Sequence, residues 1–269
     1  MVAEQSGNAC KPATRLLFLC GFVLGACQHP TFDWQGRPDV ALNDYSRAFD
    51  TAVGDRLDAA ITTKELLQLT HKVRVLWLGD HHRDASAHTD QLALLRDLHR
   101  SGQKIALGLE AIGTQDEPLL AEFLAHRLTM DGLKEAIRVR WPESWLDSAF
   151  VDAVHYRDLL QFAATTDSPL FALEPTPRLP LHQRDEYIAL RVQTAAQRHP
   201  DRLIVSMIGQ AHLLGTGDLI ARTGLTNVAL GATPPAAIAL AANSTTPRSG
   251  LVRSNGGLWF FANLLPTTR

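Results

Sequence analysis

Two apolar runs of the sequence end in the same spacing, a glycine followed three positions later by a histidine. These are the stretches 79–82 and 209–212, which end at His82 and His212. Two further apolar runs end in carboxylates, at Glu110 and Glu174. Imidazole and carboxylate side chains are ligands that zinc, manganese and ferrous iron accept, and they are also common acid–base groups. The four run ends therefore predict a site with metal or proton-transfer chemistry.

The elements that must position these side chains are predicted from hydrophobic periodicity. Nearly continuous apolar strands alternate with amphipathic helices such as residues 84–102. This alternation favours an α/β fold with a largely parallel central sheet that is covered by helices on both faces. Ligands of such sheets bind beyond the carboxyl ends of the strands. The strands are predicted at residues 72–80, 104–112, 169–175 and 202–212, with shorter β segments at 226–232, 236–242 and 257–265.

The strand ends combine two histidines with a carboxylate. We interpret His82, Glu110 and His212 as a metal set for zinc, manganese or iron, with Asp80 or Glu174 as a further ligand. The glycines that precede the histidines would let a ligand or a neighbouring backbone come close. The alternative is that these residues are hydrogen-bonded polar groups that link the strand ends, and the sequence leaves both open.

A second constellation lies between two predicted helices. Arg138, Arg140, Trp141 and Trp145 fall within eight residues. Guanidinium groups pair with carboxylates in bidentate fashion and indoles stack on flat apolar rings, as a haem with two propionates would require. The alternative is an interhelical loop anchored by two tryptophans.

Tyrosine and histidine follow on the next predicted helix. Both residue types are haem axial ligands, so Tyr156 is the first candidate ligand and His155 the second. A lone helical tyrosine is also typical of an amphipathic core position. His88 and His126 are interpreted as surface histidines of helices.

The N-terminus predicts export. Lys11 and Arg15 precede the apolar run 16–27, which is shorter than the roughly 20 residues that span a bilayer and suits a secretory signal. The run ends in Leu-Gly-Ala-Cys at 24–27, typical of a lipoprotein signal. We therefore predict a signal peptide at 1–26, a lipidated Cys27 at the start of a tether and N-terminal segment (27–58), and a main domain at 59–269.

Composition is that of a globular protein. Of the 269 residues, 45% are hydrophobic and 20% charged, and the formal net charge is −2. No strongly basic balance favours nucleic acid as a partner.

Four motifs in this order resemble the ChaN-like haem-binding lipoproteins, a family related to the Tiki/TraB proteins and the erythromycin esterases. They are "LGDHHRDASAH", "LGLEAI", "RWPESW" with "YRDLL", and "SMIGQAHLLGTG", and they span about residues 60–235. The sequence departs from the family's first motif in having Asp80 for a glutamate and Arg83 for an aspartate. The Arg83 cation beside the predicted metal position weakens a hydrolase interpretation more than a haem-binding one.

The resemblance implies a haem-binding outer-membrane lipoprotein that holds or relays haem in iron acquisition. It implies haem bound near a helical cap, a homodimer around the haem with tyrosine ligation, and an anchor on the periplasmic face. An outer-membrane haem receptor is the expected partner. The alternative function is a metal-dependent hydrolase, in which His82 and His212 hold the metal and Glu110 activates water.

Overall fold

The computed structural model describes residues 40–142, 144–215, 218–243 and 250–262. All of them belong to one unit that spans residues 38–269. The predicted signal peptide and Cys27 lie outside the described residues, so the lipoprotein assignment stays a prediction. Within the described residues, no helix is both long enough and apolar enough to cross a membrane.

The described residues form helices and strands in the following order. The strands are β1 (Leu57–Thr62), β2 (Val75–Asp80), β3 (Ile105–Gly113), β4 (Leu170–Glu174), β5 (Leu203–Gly209), β6 (Asn227–Leu230), β7 (Gly250–Ser254) and β8 (Trp259–Phe261). The helices are α1 (Val40–Val53), α2 (Thr63–Thr70), α3 (Ala85–Arg100), α4 (Glu117–Leu124), α5 (Met130–Arg138), α6 (Ala153–Thr165), α7 (Leu181–Arg198), α8 (Ala211–Leu214), α9 (Leu219–Thr223) and α10 (Ala236–Asn243).

The sheet has the strand order β1-β7-β8-β6-β2-β5-β3-β4. Strands β8, β6, β2, β5, β3 and β4 pair in parallel, whereas β7 pairs antiparallel with β8 and with β1. The predicted α/β fold with a largely parallel sheet is therefore confirmed, with two antiparallel strands added at one side.

Alternate residues of the strands enter two separate cores. On β2, Leu76 and Leu78 pack with residues of α2 to α6, whereas Val75 and Trp77 pack with residues of α1 and α7 to α10. Because successive side chains of a strand point to opposite faces, the two cores lie on opposite faces of the sheet. Helices thus cover both faces, and all six residues of β2 are buried.

Three predicted elements differ from the structure. The segment predicted as β at residues 236–242 is helix α10, because a short alanine-rich apolar run fits a buried helix as well as a strand. His212 does not end a strand but lies on α8, immediately after β5. Part of the predicted N-terminal segment forms α1, whose Phe49 and Val53 are buried.

Candidate functional site

The strand register brings the ends of β2 and β5 beside the last part of β3. Asp80, the last residue of β2, lies opposite Gly209, the last residue of β5. On the other side of β5, the pairing of β3 with β4 is irregular between Leu109 and Gly113, the stretch that contains Glu110. Such irregularities redirect side chains at a sheet edge. The result is a cluster of polar groups at the carboxyl end of the parallel strands, as the sequence predicts.

Asp80 is the centre of the first half of this cluster. Its Oδ2 lies 2.9 Å from Nδ1 of His82 and accepts a hydrogen bond from the Tyr156 hydroxyl at 2.5 Å. Its Oδ1 lies 2.8 Å from Nε2 of His88, whose Nδ1 lies 2.9 Å from Oδ2 of Asp152. The Asp80 side chain is only 1% exposed. His88 is buried as well, so its interpretation as a surface histidine is wrong.

In this network, hydrogen bonds have a larger effect than burial on the pKa values of the side chains. Burial raises the pKa of Asp80, but the hydrogen bonds with His82, His88 and Tyr156 outweigh burial and hold that pKa well below its usual value. Burial lowers the pKa of both histidines, but their hydrogen bonds to Asp80 outweigh it and raise both pKa values above the usual range. The network therefore keeps Asp80 ionised and favours protonated imidazoles beside it.

The predicted axial ligands Tyr156 and His155 lie in the core. Tyr156 is 1% exposed, and burial together with the Asp80 charge raises the pKa of its phenol far above the usual value. Burial and the charge of His88 lower the pKa of His155 to about 4. The His155 ring stacks on that of His88 at 3.9 Å with an interplanar angle of 2°. Both side chains are buried, so neither presents a ligand atom to a haem at the surface. Their role as ligands stays a prediction.

The second half of the cluster surrounds Gly209. A methyl group built on this glycine would lie 3.5 Å from Oε2 of Glu110, 3.6 Å from Cδ2 of His212 and 3.8 Å from Cε1 of His82. The structure thus brings the three predicted metal residues together around one glycine. The backbone N–H of Gly209 donates a hydrogen bond to Oε2 of Glu110 at 2.7 Å.

Arg184 binds two carboxylates in this half. Its Nη2 lies 2.6 Å from Oε1 of Glu110 and 2.8 Å from Oε2 of Glu174. Burial raises the pKa of Glu110, but the charges of His212 and Arg184 outweigh it and hold that pKa below its usual value. Burial raises the pKa of Glu174 above its usual value, and the charge of Arg184 does not offset this effect. His212 is bonded through Nδ1 to the buried Asp185.

These contacts bear on the predicted metal site. Both oxygens of Glu110 have hydrogen-bond donors, Arg184 and the Gly209 amide, and Nε2 of His212 lies 3.9 Å from Oε1 of Glu110. In the part of the chain that the structure describes, no group of three or more histidine, cysteine, aspartate or glutamate side chains is arranged to hold a metal ion. A metal bound by His82, Glu110 and His212 would require Glu110 to leave Arg184, and that assignment stays a prediction.

The second predicted constellation lies on the segment 138–154, which joins α5 to the first turn of α6. Its exposed large hydrophobic residues are Val139 and Phe150, each 76% exposed, and Val154, 55% exposed. Trp141 is half-buried and Trp145 is buried, with the two ring centroids 6.3 Å apart. The exposed arginines at its N-terminal end pair with carboxylates, Arg138 with Glu135 and Arg140 with Asp116.

The two constellations meet at His82. The backbone N–H of Asp152 donates a hydrogen bond to the His82 carbonyl oxygen at 2.8 Å. The His82 ring packs against Trp145 with centroids 4.2 Å apart. The strand-end cluster and the 138–154 segment therefore form one continuous region.

Sequence reasoning missed several members of the cluster. Arg184 and Asp185 lie in the first turns of α7, which follows β4, and His88 lies in the first turn of α3, which follows β2. A helix that follows a parallel strand begins near the edge where that strand ends, so its first turns could have been searched for charged residues.

A family model matches the middle part of the chain. Residues 66–180 match the model of the family described as "Haem-binding uptake, Tiki superfamily, ChaN". The matched stretch contains β2, β3 and the 138–154 segment. This match covers the middle part of the chain and supports the resemblance to the ChaN-like family found in the sequence. A search of curated proteins gave no match.

Solved structures give more distant likenesses. ChaN of Campylobacter jejuni, described by its cofacial haem binding, is 11% identical with a TM-score of 0.43, over 64% of this chain and 86% of that one. The type III effector HopBA1 is 13% identical with a TM-score of 0.42, over 60% and 77% of the two chains. RRSP, a MARTX toxin effector domain from Vibrio vulnificus, is 16% identical with a TM-score of 0.47, over 71% of this chain and 42% of that one. None of these likenesses assigns an activity to the chain.

Proposed function

We propose that this protein binds haem on the surface formed by the 138–154 segment. The observation that carries the proposal is the exposure of Val139, Phe150 and Val154 on this one segment. The other large hydrophobic residues that are exposed in the described part of the chain, Leu190 and Leu240, lie on separate helices. Contiguous exposed apolar patches are typical of ligand or partner surfaces. The family match supports haem as the ligand.

The arginines beside these apolar residues differ in how easily they could bind a propionate. The pair Arg138–Glu135 is solvent-exposed on both sides, and exposed ion pairs contribute only about 0–1 kcal/mol. Arg138 can therefore change partner at little cost. Arg140 pairs with Asp116, whose side chain is 1% exposed, so the departure of Arg140 would leave a buried carboxylate alone. Arg138 is thus the better propionate partner, and Arg140 is held in place.

Trp141 suits the same ligand. Its indole is partly accessible and packs against Trp145. Trp145 in turn packs against His82 and Tyr156. A porphyrin over this surface would cover an indole and two or three aliphatic or phenyl side chains. Such contacts are typical of haem sites because the macrocycle is flat and apolar.

A haemin titration of the full chain, followed by the Soret band, tests the proposal. Saturable binding is expected, and Phe150→Ser should weaken it about tenfold, because burial of a phenyl ring contributes about 1.5–3 kcal/mol. Leu190→Ser is the matched control, since it removes an exposed apolar side chain from α7. Equal affinity of both variants and the unchanged chain would contradict this location of the site.

The cellular role is proposed from the N-terminus and the family. Cys27 would carry a lipid that anchors the protein to the periplasmic face of the outer membrane, where it holds or relays haem in iron acquisition. The partners would be an outer-membrane haem receptor and a second copy of the chain around the haem. Cys27→Ser should abolish lipid attachment and release the protein from membranes. Fully processed, membrane-bound Cys27→Ser protein would contradict the anchor.

A metal-dependent hydrolase is the second candidate function. The convergence of His82, Glu110 and His212 around Gly209 favours it. In that case a divalent metal such as zinc, manganese or iron would replace Arg184 at Glu110. Metal analysis of the purified full chain tests this: a stoichiometric metal that is lost in His212→Gln would support it, and a metal-free protein that hydrolyses no ester would exclude it.

A further inference from the structure

His82 combines features that Tyr156 and His155 lack. Its side chain is 38% exposed, whereas the two predicted axial ligands are buried. Its Nδ1 is bonded to Asp80, and its Nε2 makes no hydrogen bond within the described residues. Because Asp80 is 1% exposed, Nδ1 faces the interior. Cε1, the atom between the two ring nitrogens, lies 3.8 Å from a Cβ built on Gly209.

Asp80 prepares this imidazole for a metal ion. Histidines that bind metals usually donate their second N–H to a carboxylate, which fixes the tautomer and makes the other nitrogen more basic. Here Nδ1–H donates to Asp80, so the lone pair lies on Nε2 when the ring is neutral. When a metal ion binds, any proton on Nε2 is released to solvent.

The position of His82 matches the proposed haem surface. Its carbonyl oxygen accepts the Asp152 amide between Phe150 and Val154 in the chain, and its ring contacts Trp145. The imidazole therefore lies beside the 138–154 segment. Tyr156 lies behind it, with 3.3 Å between the phenol oxygen and Nδ1 of His82.

We propose that His82, through Nε2, is the axial ligand of the haem iron, and that Asp80 is its positioning residue. This inference rests on the proposed function. Tyr156 then acts indirectly, by donating a hydrogen bond to the carboxylate that orients the ligand.

Removal and replacement of the imidazole test the assignment. His82→Gly in the full chain should lose the wild-type spectrum of bound haem, and added imidazole should restore it. His81→Gly is the matched control, because His81 is the adjacent, exposed histidine. Resonance Raman spectra of the ferrous wild-type complex should contain an iron–histidine stretch. That band should disappear in His82→Gly and move to lower frequency in Asp80→Asn, because the imidazole becomes less basic.

The outcomes separate this inference from the proposed function. If His82→Gly binds haem with the wild-type spectrum, His82 is not the ligand, although haem binding stands. If Tyr156→Phe changes the absorption spectrum of ferric haem and His82→Gly does not, the phenol is the ligand and the inference is overturned. If the wild-type chain binds no haem, both are wrong.

Discussion

The hydroxyl of Tyr156 donates a hydrogen bond to Oδ2 of Asp80 at 2.5 Å, inside the core and behind His82. Tyr156 is on α6, whereas Asp80 ends β2, so this bond ties the helix to the carboxyl edge of the sheet. It gives the tyrosine of the "YRDLL" motif a structural role. Together with its bonds to His82 and His88, it makes Asp80 a shared partner of one phenol and two imidazoles.

Tyr156→Phe should destabilise the protein without replacing the axial ligand, so the Soret band of bound haem should stay in place. The phenyl ring keeps its packing, but Asp80 loses one of its hydrogen bonds in a buried site, which costs about 1–3 kcal/mol. Urea unfolding measures the loss, and the Soret band of the haemin complex is recorded on the same samples. An altered spectrum with unchanged stability would contradict a structural role.

Two glycines at the strand ends should respond differently to alanine. A Cβ on Gly79 would lie 2.9 Å from the carbonyl oxygen of Leu230, so Gly79→Ala should cost about 1–3 kcal/mol. A Cβ on Gly209 meets its neighbours at ordinary contact distances, so Gly209→Ala should stay within about 1 kcal/mol of wild type. Its methyl group would, however, occupy the space between His82, Glu110 and His212.

Urea unfolding of both glycine variants compares their stabilities, and haemin titration reports the effect on the site. Gly209→Ala should alter the haem spectrum although it folds normally. A destabilisation of Gly209→Ala as large as that of Gly79→Ala would contradict the presence of room for a methyl group at Gly209.

Arg184 should be essential for stability because it neutralises two buried carboxylates. Arg184→Met should destabilise the fold by about 3–5 kcal/mol, since an unpaired charge remains buried. The added substitution Glu174→Gln should recover part of this loss. Lys104→Met, which removes an exposed ion pair with Asp201, is the control and should have little effect. A strictly additive Arg184→Met/Glu174→Gln double variant would mean that the two side chains do not interact.

His155 should make the protein sensitive to acid. Its pKa is lowered to about 4 in the folded state, below the usual value of about 6.5 in the unfolded chain. As the pH falls from about 6.5 to about 4, the unfolded state binds a proton that the folded state does not. Stability is therefore lost in this window, at up to about 1.4 kcal/mol per pH unit, and it is fully present above it.

Urea unfolding between pH 7 and pH 4 measures this dependence. His155→Phe preserves a flat ring against His88 and should flatten the pH profile in that window. The exposed His71→Phe is the control and should leave the profile as it is. An unchanged slope in His155→Phe would mean that other groups cause the acid sensitivity.

The sequence predicts the parallel part of the sheet well, because continuous apolar runs between amphipathic helices have few alternative structures. The antiparallel pairing of β1 with β7 was not predicted, since it depends on contacts between residues almost 200 positions apart. The assignment of residues 236–242 as β was wrong, because alanine, isoleucine and leucine in a short run give no clear period.

The site was predicted in part. His82, Glu110 and His212 lie together because parallel strands end at one edge, a rule that needs only the strand boundaries. The partners that decide their chemistry, Asp185 and Arg184, come from a helix whose rotation the sequence does not reveal. Tyr156 shows the same limit, because periodicity places it on a helix but does not say whether its hydroxyl meets Asp80 or a ligand.

Hydrogen–deuterium exchange of the full chain, with and without haemin, tests the central claim most directly. We expect slower exchange with haemin in the 138–154 segment and in the turn at residues 81–84, because the porphyrin would cover the first and fix the second. The amides of α7 and α10 should exchange as before. Unchanged exchange in 138–154 under saturating haemin, or protection confined to another part of the chain, would contradict the account.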